Sequence, residues 1–228
     1  MATAGTQELT IAVDATRRVS ALLRAPANAR ACYVLAHGAG AGMRHPFMGA
    51  IAEAFAARGI ATLRYQFPYM EQGSRRPDVP QVAHASVRAA VAEAARAMPG
   101  VALVAGGKSF GGRMTSQAQA AAPLPGVRGL VFLGFPLHPA GKPSDERASH
   151  LANVQVPMLF LQGTRDDLAD LSLLKPVVER LGSRASLVLF EAADHSFHVP
   201  AKSGRKDADV LDSLADAIAA WVEALTRA

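Results

Sequence analysis

Between residues 101 and 112 the chain runs from a short apolar stretch (Val101, Ala102, Leu103, Val104, Ala105) into Gly106, Gly107, Lys108, Ser109, Phe110, Gly111 and Gly112. This reads as a buried strand, an abrupt glycine turn and the first turn of a helix. Gly107, Ser109 and Gly111 fit G-x-S-x-G, in which a strained backbone lifts a serine hydroxyl above the end of a sheet. Positions two before and two after the serine must be almost free of side chain, because strand and helix crowd together there. A glycine-rich connection with an incidental serine would look the same, so partners are needed.

Two rival motifs fail on register. A phosphate-binding G-x-x-x-x-G-K-[ST] loop ending at Ser109 needs glycine at 102, where the chain has Ala102. The stretch His37-Gly38-Ala39-Gly40-Ala41-Gly42 approaches a dinucleotide fingerprint, but G-x-G-x-x-G would require glycine at 43, where Met43 stands.

Around this stretch the chain alternates. Glu8–Val13 and Arg18–Leu23 read as an edge hairpin, and residues 31–36, 60–64, 101–105, 129–133, 156–162 and 187–190 as apolar strands. Helices are expected over 46–58, where Phe47, Ile51 and Phe55 form one stripe, then over 80–98, 110–122, 171–181 and 207–226. The last carries Leu211, Leu214, Ile218, Trp221, Val222 and Leu225 on one face. Residues 65–79 and 135–153 read as loops. Strands alternating with helices give a mostly parallel, doubly wound α/β sheet covered on both faces, with ligands binding beyond the carboxyl ends of its strands. The 228 residues, half of them hydrophobic, suit a single domain spanning 1–228 with no large lid.

Composition narrows the function classes. One cysteine, Cys32, permits no internal disulfide, and its apolar strand setting suggests a buried, inert thiol. The seven histidines form no H-x-x-x-H or H-E-x-x-H pair, and His195 and His198, three apart, have no second cluster beside them, so neither metal nor organic cofactor is expected. The net charge of +5 is spread thinly, without a basic helix or aromatic ladder, and a nucleic-acid partner is not expected. No run reaches the ~18 apolar residues of a membrane span. Met1 to Asp14 lacks the order of a signal peptide, which makes cytoplasmic residence the expectation. The oligomeric state is left open.

Three loops at strand ends carry complementary chemistry. Ser109 follows the strand at 101–105, Asp166 the strand at 156–162, and His195 the strand at 187–190. A serine hydroxyl needs a base, an imidazole can take and return its proton, and a carboxylate can fix the imidazole tautomer. The chain order Ser…Asp…His matches that assignment. Asp167 and Asp170 compete for the acid's place and His198 for the base's. Gly163, three residues before Asp166, favours it by letting the chain turn off the strand. Oxyanion donors are expected from the backbone of Phe110, at a helix start, and of Ala39, in the glycine loop after the strand at 31–36.

Other residues near these loops could shape a pocket: His37 and Gly38, Tyr69, Met70, Arg75 and Arg76, Arg113 one turn into the helix, Leu137, His138 and Lys142, and Phe197. The basic ones either form a solvated rim or recognise a carboxylate or phosphate on the substrate. Lys108, beside the serine, reads as structural filler or a surface charge.

Taken together, His37-Gly38-Ala39-Gly40, Phe67-Pro68-Tyr69-Met70-Glu71, Gly106 to Met114, Gly134-Phe135-Pro136-Leu137-His138-Pro139, Leu161 to Asp166 and Asp194-His195-Ser196-Phe197 resemble the α/β-hydrolase family. Within it they are similar to the small lidless branch of testis-expressed protein thirty and non-specific-lethal regulatory subunit three, and to dienelactone-hydrolase-like proteins. The resemblance spans nearly the whole chain. It implies the α/β-hydrolase fold and the triad Ser109, Asp166 and His195, but no particular substrate. The leading expectation is a serine hydrolase of a small ester or thioester, with an anionic substrate left open. Because some relatives serve in protein complexes, the alternative is a non-catalytic interaction module, although such modules usually lose the serine or the histidine.

Overall fold

The computed structural model describes residues 5–227; residues 1–4 and 228, the outermost positions of the expected domain and of the segment read for a leader, lie outside the described residues. In chain order the elements are β1 (Thr6–Ala12), β2 (Arg18–Arg24), β3 (Ala31–Ala36), α1 (Pro46–Ala57), β4 (Ile60–Tyr65), α2 (Pro68–Glu71), α3 (Pro80–Ala97), β5 (Ala102–Lys108), α4 (Phe110–Ala121), β6 (Val127–Leu133), β7 (Met158–Gly163), α5 (Leu171–Leu181), β8 (Ala185–Phe190) and α6 (Asp207–Arg227). A 3₁₀ helix, Glu146–Asn153, lies between β6 and β7.

The eight strands form one sheet in the order β1-β2-β4-β3-β5-β6-β7-β8. The β1–β2 hairpin is antiparallel and joins β4 antiparallel, while every pairing from β4 onward is parallel. Every residue of β3, β4 and β7 is buried, as their continuous apolar sequences require of strands covered on both faces. Side chains alternate faces along a strand. Leu130 and Phe132 of β6 therefore belong to the core shared with α3, α4 and α5, while Val131 and Leu133 belong to the core shared with α1 and α6.

From β3 the chain first moves outward to β4 and then returns to place β5 on the other side of β3. At this reversal the loops after β3 and β5 diverge to opposite faces and leave a crevice above the strand ends. The expected elements are present, with boundaries moved by one or two residues in most cases.

Two readings need correction, and a third gains residues. The segment 65–79, read as a loop, contains the helical turn α2. The segment 135–153, also read as a loop, ends in the 3₁₀ helix, whose only two buried residues are Ala148 and Leu151. Two apolar contacts three apart fall below what a 3.6-residue stripe reveals. In α6 the buried stripe is Val210, Leu214, Ala215, Ile218, Ala219 and Val222, with Leu211, Trp221 and Leu225 only half-buried. All three still pack against the same core cluster, and Trp221 and Leu225 reach the sheet at Gly129, so the expected face holds and the alanines widen it.

Candidate active site

Ser109 sits between β5 and α4 with φ 50° and ψ −117°, a left-handed backbone that a side-chain-bearing residue adopts at a cost of order 1–3 kcal/mol. The glycines around it are needed for approach. A Cβ on Gly107 would lie 2.2 Å from the Ala36 carbonyl oxygen, and one on Gly111 2.5 Å from that of His37. Strand β3 therefore passes directly under the turn, which is why β5 and its neighbour bring Ser109 against the loop after β3.

His195 Nε2 stands 2.8 Å from Ser109 Oγ, and its Nδ1 2.7 Å from Asp166 Oδ2. The Asp166 carboxylate is fully buried, the imidazole a quarter exposed. An ionised carboxylate only accepts, so Nδ1 donates to it and Nε2 is left to accept from the serine hydroxyl. Asp166 is held by further donors. Its Oδ1 accepts the Leu168 N–H at 2.8 Å, and its Oδ2 also accepts from the Gln162 amide, whose own oxygen takes the Phe135 N–H at 2.9 Å. Gln162 is a residue the sequence reading missed. The signal was a polar side chain at the penultimate position of an otherwise apolar strand.

The competitors stand elsewhere. Asp170 caps α5, its Oδ1 accepting the Ser172 N–H at 2.8 Å. Asp167 is exposed. His198 pairs with Asp207 at 2.9 Å, which raises its pKa. Gly163 has a different role from the one expected. A Cβ there would meet the Ala193 carbonyl oxygen at 2.3 Å, so the glycine admits the backbone of the histidine loop rather than turning the chain.

The backbone N–H groups of Phe110 and Ala39 donate no hydrogen bond among the described residues, and both residues border the cavity that Ser109 opens into. The loop carrying Ala39 is held from below. His37, buried, donates from Nδ1 to the Gly38 carbonyl at 2.8 Å and accepts the Phe67 N–H on Nε2 at 3.1 Å. Burial pushes its pKa down to about 4, which keeps it neutral. The Tyr69 hydroxyl accepts the Gly40 N–H at 3.2 Å.

Of the residues expected to line a pocket, Gly38 and Arg113 border the two cavities that meet at Ser109, beside the oxyanion candidates Ala39 and Phe110. His37 and Tyr69 instead buttress the loop. Leu137 belongs to the core, and His138 is buried with Nδ1 donating to Pro139 O and Nε2 accepting the Asp170 N–H, both at 2.9 Å. Phe197 packs between Phe47 and Phe190. Met70, Arg75, Arg76 and Lys142 border neither cavity, and Arg75, Arg76 and Lys142 are exposed. That Tyr69, Leu137, His138 and Phe197 turn inward is not legible in the sequence, because single turns and irregular segments have no periodicity to say which side faces the core.

Lys108 is not a surface charge. Its ammonium donates to the His195 carbonyl at 2.6 Å and lies 5.5 Å above the Phe197 ring. Burial lowers its pKa to about 8, against the pull of Asp166 and Asp194. Cys32 is buried, its thiol pushed up to about 12 by desolvation, far from a nucleophile's range. Among the described residues no cluster of three or more His, Cys, Asp or Glu could hold a metal ion, and no helix is long and apolar enough to cross a membrane.

A family model described as an alpha/beta hydrolase domain matches residues 29–223. Among solved structures of like fold, a dienelactone hydrolase from Anabaena variabilis is 20% identical, with a TM-score of 0.77 over 96% of this chain and 97% of that one. A serine hydrolase without a lid from Xanthomonas campestris is 21% identical, with a TM-score of 0.72 over 95% and 94%. Est1E from Butyrivibrio proteoclasticus, with ferulic acid bound, is 15% identical, with a TM-score of 0.75 over 96% and 100%. At these identities the likeness carries the fold.

Proposed function

The chain belongs to the alpha/beta hydrolase domain family, and from that premise we propose that it is a serine hydrolase that cleaves small esters or thioesters through an acyl-enzyme on Ser109. The observation that carries this reading is the continuous hydrogen-bond chain Ser109–His195–Asp166, with links of 2.8 and 2.7 Å. His195 Nε2 takes the hydroxyl proton as Ser109 Oγ attacks the substrate carbonyl carbon. Asp166 stabilises the imidazolium that forms. The oxyanion of the tetrahedral intermediate receives the N–H groups of Phe110 and Ala39, the first also at the positive end of α4. His195 then protonates the leaving alcohol or thiol. Water, deprotonated by the same nitrogen, releases the acid by the reverse sequence.

The test is labelling with a fluorophosphonate probe alongside hydrolysis of 4-nitrophenyl esters. Wild type should become labelled and turn over, and Ser109→Ala should do neither. An unlabelled but folded wild-type protein overturns the reading and favours an interaction module.

A further inference from the structure

Ser109 opens onto two cavities that share Ala39, Ser109 and Leu168 as their common wall. One, of about 340 Å³, runs under Phe47 and Met48 past Lys108 and His195. The other, of about 380 Å³, runs between Pro77, Met114 and Pro136 and carries two guanidinium groups, Arg113 and Arg147. Both volumes lie within the range of small-ligand sites.

Two elements hold the arginines together. Arg113 follows Ser109 by one turn of α4, its N–H bonded to the Ser109 carbonyl at 3.1 Å. Residues four apart share a helix face, and helical side chains lean back toward the N-terminus, here toward Ser109. Ser116, one turn further on, stands 2.7 Å from His150 Nε2 of the 3₁₀ helix. Arg147 precedes His150 by three residues, one 3₁₀ turn, and so lies on the same face. The Ser116–His150 contact thus sets Arg147 beside Arg113.

Like charges side by side in a half-buried wall repel, and among the described residues no carboxylate pairs with either guanidinium. Neither guanidinium makes a side-chain hydrogen bond or ion pair among the described residues, and Arg113 Nε is buried without a partner. Burial, and then the charge of Arg147, lower the Arg113 pKa. The one carboxylate in the wall, Asp78, accepts the Tyr69 N–H at 3.1 Å. Guanidinium groups present planar forks of donors that match an oxyanion.

We propose that the cavity between Arg113 and Arg147 binds an anionic group, a carboxylate or phosphate, on the portion of the substrate that extends past Ser109 toward these arginines. The proposal names the substrate class of the same site and so rests on the hydrolase reading, but it places the anion at Arg113 and Arg147 rather than at Arg75 and Arg76.

Two readouts test it. In calorimetric titrations, wild type should bind valerate or butyl phosphate at least ~10-fold more tightly than neutral valeramide, as expected for charge-assisted bonds to a desolvated guanidinium. The tighter of the two anions identifies the headgroup. Arg147→Met, and separately Arg113→Met, should each remove most of that preference. Arg147→Glu, on the arginine of the 3₁₀ helix rather than of α4, keeps the test open if Arg113→Met fails to fold. In hydrolysis, the kcat/KM ratio of 4-nitrophenyl hydrogen glutarate over 4-nitrophenyl valerate should fall by ~10-fold in the same variants. Equal affinity for anions and valeramide in wild type, or a preference that survives both substitutions, overturns the proposal even if both esters are cleaved. Arginine-dependent anion binding in a protein that cleaves neither ester upholds the anion site and defeats the hydrolase reading instead.

Discussion

Asp166 accepts three hydrogen bonds with two oxygens, two of them on Oδ2. An asparagine there cannot do so. With its oxygen kept for the Leu168 N–H, its amide nitrogen would face two donors, Gln162 and His195 Nδ1. The cheapest relief is for His195 to carry its proton on Nε2 and accept on Nδ1, which leaves nothing to receive the Ser109 proton. Asp166→Asn should therefore lower kcat by about 10⁴-fold with little change in fold, measured by steady-state ester hydrolysis beside circular dichroism. Lys108 makes a different residue-scale prediction. Its folded pKa of about 8 lies below the ordinary 10.5, so between those values the unfolded chain holds a proton that the folded chain has released. Stability must then rise with pH across this window. Relative to Lys108→Met, wild type should gain on the order of 2 kcal/mol between pH 7.5 and 10, read from urea midpoints at both values. A difference that stays flat would mean that the ammonium is better solvated than its surroundings indicate.

At the scale of elements, the turn between β5 and α4 works only because β3 passes beneath it. Gly107 has φ +152° and no room, whereas Gly100 has φ +77° and nothing within 4 Å of an added Cβ. Gly107→Ala should cost about 3 kcal/mol, from overpacking and backbone strain together, and Gly100→Ala about 1 kcal/mol, from the left-handed backbone alone. Chemical denaturation of the two variants separates the contributions. The same contrast explains what the sequence could disclose. Apolar runs of strand length, each cut off by glycine or a polar residue, mark where β5, β7 and β8 end, and Ser109, Asp166 and His195 sit just past those ends. Which side chains of an irregular loop turn inward is set by contacts made after folding, as with Tyr69 under the β3 loop and His138 against the start of α5. Arg147 was hidden for a related reason. Its 3₁₀ helix buries only Ala148 and Leu151, and its partner Arg113 is 34 positions earlier in the chain.

For the molecule as a whole, two histidines link the site's supports to acid stability. His37 holds the loop after β3 beneath Ala39, and His150 ties the 3₁₀ helix to α4 through Ser116. Both are pushed down to about 4, His37 by burial and His150 by burial and then by the charge of Arg113. An unfolded histidine titrates near 6.5. Between about 6.5 and 4 the unfolded chain therefore binds protons that the folded chain refuses, and stability falls as pH drops through this window, levelling off below 4 as far as these two groups are concerned. Between pH 7 and pH 4.5 each should contribute about 2 kcal/mol to the loss. His150→Gln keeps a hydrogen-bonding group toward Ser116 without a titratable ring. Urea unfolding of wild type and His150→Gln at pH 7 and pH 4.5 should show the variant losing less stability on acidification. If both lose the same amount, His150 is charged in the folded protein, and the wall that places Arg147 beside Arg113 carries a third positive charge. Anion binding at that wall would then tighten as pH falls, and titration with 1-butanesulfonate, ionised at both pH values, would register it.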